Sequence, residues 1–61
     1  MNDVILVRHG EMFSASINTE TQEVVFDDKT VTGKMWLVAS GGDQFVEIVE
    51  EEGKYRMIPA F

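Results

Sequence analysis

Apolar residues along this chain fall in six short runs separated by residues that favour turns. The first, Val4 to Arg8, is apolar on both faces until Arg8. The second, Met12 to Ile17, alternates Phe13, Ala15 and Ile17 against Ser14 and Ser16, the period of a strand with one buried face. Val24, Val25 and Phe26 occupy the third run, Glu23 to Asp27, and Met35 to Val38 fill the fourth, Lys34 to Ala39. Gln44 to Glu50 carries Phe45, Val46, Ile48 and Val49. Lys54 to Ile58 interleaves Tyr55 and Met57 with Arg56, and Pro59, which has no N–H to donate, is expected to end pairing there.

The residues between the runs read as hairpin turns: His9-Gly10, Asn18 to Gln22, Gly41-Gly42-Asp43 and Glu51-Glu52-Gly53. Gly reaches positive φ without steric cost, and Asn and Asp tolerate it better than other residues. Asp28 to Gly33 is the longest connection. Regular spacing of short strands and turns predicts one all-β domain over residues 1–61. Its expected form is a small antiparallel meander of five to six strands forming an SH3-like barrel or a two-layer sheet. A helix competes over Gln44 to Glu52, with Asp43 and Gly53 as caps. Strand is preferred, because Phe45-Val46 and Ile48-Val49 are β-formers and Glu50 to Glu52 would crowd the negative end of a helix dipole. No repeat, low-complexity tract or linker is visible in the residue pattern.

Size sharpens that expectation. A chain of 61 residues buries only about 60% of the surface its unfolded form exposes, so its core is thin. Without cysteine it has neither disulfides nor thiolate metal sites, and one histidine cannot build a zinc site alone. No cofactor or metal is expected. With 44% hydrophobic residues, a homo-oligomer is a further expectation. The formal charge of −6 repels phosphate backbones and anionic lipid surfaces, which disfavours nucleic acid and membrane as partners. No apolar segment approaches the roughly 20 residues that span a bilayer, and a cytoplasmic location is expected.

The segment Leu6-Val7-Arg8-His9-Gly10-Glu11 resembles the opening signature of the histidine phosphatases, the phosphoglycerate-mutase-like family. That resemblance implies a phosphoryl-accepting His9 with Arg8 as a phosphate ligand. It covers six residues. Met12 and Ala15 stand where the family has Thr or Ser and then Asn, the only other arginine is Arg56, and there is no second histidine. Phosphoryl transfer needs several cations on one phosphate. His9-Gly10 is therefore read as a turn, and the chain is not expected to be an enzyme.

Three features bear on binding. Asp43, Glu47, Glu50, Glu51 and Glu52 place five acids and no base in ten residues, either a solvated edge or a docking face for a partner with a basic surface. The run Met35-Trp36-Leu37-Val38-Ala39 is apolar on both faces: either Met35, Leu37 and Ala39 fill the core while Trp36 and Val38 form a surface patch, or the reverse holds. Val4 to Val7 is doubly apolar in the same way, and Phe61 is a candidate cover for the patch. Finally Lys34, Lys54, Tyr55 and Arg56 could make an alternative ligand face, since aromatic residues among basic ones suit single-stranded nucleic acid.

The function expected is that of a small acidic protein-interaction module, an accessory or inhibitory protein of the kind phages and mobile elements make. It would bind another protein through the acidic hairpin and the apolar patch. The alternative is a homo-oligomeric small β-barrel that binds nucleic acid or a small ligand through its Lys, Arg and aromatic residues.

Overall fold

A computed structural model of the chain describes residues 2–60. Six strands form, each on one of the apolar runs: β1 Asn2–Arg8, β2 Glu11–Ile17, β3 Glu23–Phe26, β4 Gly33–Ala39, β5 Gly42–Glu51 and β6 Lys54–Pro59. All neighbours are antiparallel, and the sheet closes on itself in the order β1-β2-β3-β6-β5-β4, with β4 returning to β1. Closure leaves a small barrel of the expected all-β class. Gln44 to Glu50 is strand throughout.

Alternation along each strand selects the interior. Val4 and Leu6 of β1, Phe13, Ala15 and Ile17 of β2, Val24 of β3, Met35 and Leu37 of β4, Val46 and Ile48 of β5 and Met57 of β6 form one buried cluster. No polar or charged residue joins them among the described residues. Of the two alternatives for the fourth run, the structure takes the one with Met35 and Leu37 inside and Trp36 and Val38 outside. The cluster is filled by side chains from all six walls, so no single strand can leave without exposing it.

The chain makes two three-strand meanders, β1-β2-β3 and β4-β5-β6, joined by Asp27 to Thr32 and sewn together at two seams. In one seam Leu6 faces Leu37; in the other Val24 faces Tyr55. Both pairs are 31 positions apart, and the same offset carries β1–β2 pairing onto β4–β5: Leu6 opposite Phe13 becomes Leu37 opposite Gln44. The barrel is thus an approximate internal duplication that residue identity conceals. What the halves share is which face each position takes, as in Val4 and Met35, Ala15 and Val46, Ile17 and Ile48. Most inward equivalents keep apolar character without identity and outward ones need share neither, so no repeat is legible in the sequence.

Turn chemistry fixes the hairpins. His9 and Gly10 both have positive φ, 49° and 80°, and so do Glu52 and Gly53 at 53° and 80°, the signature of two-residue turns that match strand twist. In the long β2–β3 turn the Asn18 side-chain oxygen accepts from the N–H groups of Glu20 and Thr21, and the Asn18 carbonyl accepts from Gln22. Pro59 does not end pairing before itself. It is the last residue of β6, opposite Val46, and the N–H of Ala60 then reaches the Phe45 carbonyl at 3.1 Å.

Candidate functional site

Register determines which outward side chains meet, because directly opposed residues share a face. Trp36 lies opposite Val7 on one side and Phe45 on the other, and Val7 lies opposite Met12. These four form a row across β2, β1, β4 and β5 on the outside of the barrel. The adjoining row is Ser14, Ile5, Val38 and Asp43. Trp36 is 51% exposed, Val38 38% and Met12 75%, while Ile5, Val7 and Phe45 are half-buried. The Trp36 and Phe45 rings pack with centroids 5.1 Å apart, tilted by 58°. That contact orders the indole without hiding it.

The patch is centred on the Leu6–Leu37 seam: Ile5 and Trp36 occupy equivalent positions of the two halves, as do Val7 and Val38. Charges border it unevenly. Asp3 and Asp43 lie at one end, and at the other Lys34 is opposite Glu47. Beside Met12 lie Glu11, Asp28 and Lys29, so acids outnumber bases along the border.

The acidic stretch is divided by the fold. Asp43 and Glu47 border the apolar patch. Glu50, Glu51 and Glu52 lie at the tip of the β5–β6 hairpin, three to five residues beyond Glu47, about 10 to 17 Å at a strand's rise per residue. Cations missing from the stretch itself come from neighbouring strands. Lys34 faces Glu47, Lys54 faces Glu51, and Arg56 Nε meets Glu51 Oε1 at 2.8 Å. The exposed carboxylates without such a neighbour opposite are Asp43, Glu50 and Glu52, which face Val38, Tyr55 and a turn.

The alternative ligand face is only partly assembled. Lys54, Tyr55 and Arg56 line a depression of about 380 Å³ with Thr21, Glu23 and Glu51, so its charge is mixed. The Tyr55 ring meets Phe26 edge to face at 5.5 Å. Lys34 lies on β4, with β5 between it and β6. His9 sits exposed in its turn, while Arg8 Nη1 donates to the Thr32 carbonyl at 2.9 Å. Arg56 stands on the wall across the barrel from β1, so the two arginines do not converge beside His9. Among the described residues no three His, Asp or Glu side chains gather as metal ligands, and no helix is long and apolar enough to cross a membrane.

Sequence reasoning singled out Trp36 and Val38 and noted the doubled apolarity of Val4 to Val7. It missed Met12 and Phe45 as their neighbours, because that adjacency arises from β1–β2 and β4–β5 register and leaves no local signal. Phe61, considered as a cover for the patch, lies outside the described residues. No family model matches the chain, and searches of curated proteins and of solved structures find no significant match.

Proposed function

We propose that this chain is a protein-interaction module, an accessory or inhibitory subunit that holds another protein through the apolar patch around Trp36. The observation that carries the reading is the register row Met12, Val7, Trp36 and Phe45, with Ile5 and Val38 beside it, on the outer face of a barrel whose core is filled without them. The Phe45 contact accounts for only part of the indole, and half of it remains in solvent. A large aromatic side chain in a bordered apolar patch is a common interface anchor. The negative border favours a partner with basic residues around its own apolar contact. The acids at the hairpin tip, remote from the patch, would act mainly on the rate of encounter.

The test is capture from lysate of the source cells by immobilised protein, repeated with Trp36→Ala and Val38→Lys, with light scattering on the purified chain. One protein enriched by the native chain, and reduced by about tenfold or more in both variants, is the expected result, since an anchor of this kind contributes roughly 2 kcal/mol. Equal capture by the variants overturns the reading. So does a stable dimer in which Trp36 fluorescence shows the indole withdrawn from water, which makes the patch a self-association surface.

A further inference from the structure

The two mouths of the barrel are formed by equivalent positions of its two halves, yet they are closed differently. At the mouth beside the β1–β2 hairpin, Phe13 is buried in the core cluster, Phe26 packs partly buried against it, and the Arg8 guanidinium crosses to the Thr32 carbonyl at 2.9 Å. The equivalent positions at the other mouth, beside the β4–β5 hairpin, hold Gln44 in place of Phe13, Met57 in place of Phe26 and Ala39 in place of Arg8. Gln44 is exposed, and no aromatic ring lines this mouth among the described residues. A cavity of about 630 Å³ results, floored by Val4, Ile17, Leu37 and Met57. Its floor is less covered than the equivalent one: Val4, Ile17 and Leu37 are 4 to 5% exposed, whereas Met35, Ile48 and Leu6 are 0 to 1% exposed.

From this asymmetry we infer that the mouth beside the β4–β5 hairpin binds a small uncharged aromatic molecule, whose ring takes the place that Phe13 fills at the opposite end. The volume lies within the range of about 300 to 1,000 Å³ usual for small-molecule pockets, and barrel mouths are a recurrent place for them. Apolar floor residues supply the burial that a ring needs, and the absent phenyl at Gln44 sets the size of group that fits. The rim sets the rest of the ligand. Asn2 lies opposite Ile17 and Gln44 opposite Leu37, so both amides stand on the inward side of the wall, at the mouth. Each offers both donor and acceptor, and among the described residues neither amide is engaged in a hydrogen bond. They match a neutral amide or similar group carried by the ring. Asp3 is the ionisable residue in the described lining, and with the net charge of −6 it disfavours an anion. Trp36 and Val38 face outward, so this site is separate from the protein-binding patch and does not depend on it.

The probe is 2-phenylacetamide, titrated into the isotope-labelled full chain and followed by amide chemical shifts. Expected are saturable shifts confined to Asn2 to Val4, Ile17, Leu37 to Gln44 and Met57, with a dissociation constant of about 1 mM, the strength that about ten non-hydrogen atoms allow. Acetamide, which lacks the ring, should give no saturable shift, and phenylacetate, which carries a carboxylate instead of the amide, should bind about tenfold or more weakly. Gln44→Phe rebuilds the closure of the opposite mouth and should abolish binding while raising the urea midpoint. Asn2→Ala should weaken binding about three- to tenfold with the fold unchanged. No saturable shift up to the solubility limit of the probe, or shifts centred on Trp36 and Phe45, overturns the proposal. So does undiminished binding to the Gln44→Phe variant. Binding that emerges only in Phe61→Ser also overturns it, because the chain's own end is then the occupant.

Discussion

Leu6 and Leu37 face each other across the β1–β4 seam, 31 positions apart in sequence, and each occupies the same place in its half of the barrel. Leu6 is fully buried and Leu37 nearly so. Each therefore supports both the interior packing and the junction that closes the sheet.

Truncating either leucine should cost nearly the same. Leu6→Ala and Leu37→Ala are each expected to lose about 2 to 5 kcal/mol, and a core of this size supplies only roughly 3 to 5 kcal/mol in all. Both variants should be largely unfolded at room temperature by circular dichroism. A Leu37→Ala protein with a urea midpoint close to the native one contradicts the shared role.

Trp36→Ala should separate stability from binding. The indole is half exposed and its main structural contact is Phe45, so the expected loss of stability is about 1 kcal/mol, the size of an aromatic pair. Capture of the partner should fall about tenfold or more. A thermal midpoint that collapses on this substitution would make Trp36 a packing residue.

His9 and Glu52 hold left-handed conformations in their two-residue turns, which side chains other than Asn, Asp and Gly adopt at a cost. His9→Asn and Glu52→Asn should each stabilise the fold by about 0.5 kcal/mol, measured as an increased denaturant midpoint. A marked loss of stability in His9→Asn indicates that the imidazole makes a contact beyond the turn.

The Arg56–Glu51 ion pair, at 2.8 Å with both side chains about half exposed, should be worth little. A double-mutant cycle of Arg56→Gln and Glu51→Gln is expected to give a coupling below about 1 kcal/mol that shrinks as salt is added. Coupling well above that value at 0.5 M salt shows the pair to be better shielded than its exposure indicates.

The six strands were legible because each run carries its own evidence: alternation in Met12 to Ile17, β-forming residues in Phe45 to Val49, and turn residues between. The candidate site was legible in part. Doubled apolarity in the fourth run requires that one face look outward, but which face does so depends on whether Leu37 or Trp36 points at Leu6. The charge balance around the acidic stretch was not legible. Counted along the chain it has no cation, whereas in the barrel Lys34, Lys54 and Arg56 arrive from strands on either side of β5.

By itself, then, the sequence determined strand existence, turn positions and the all-β class, because those follow from side-chain period and backbone preference within a few residues. Tertiary structure alone decided the strand order, the near-equivalence of the two halves, and the joining of Met12, Val7, Trp36 and Phe45 into one row. Each of these is a relation between residues far apart in the chain, set by closing the sheet around a common core. Local sequence carries no term for that closure, since it becomes favourable only when all six walls are present.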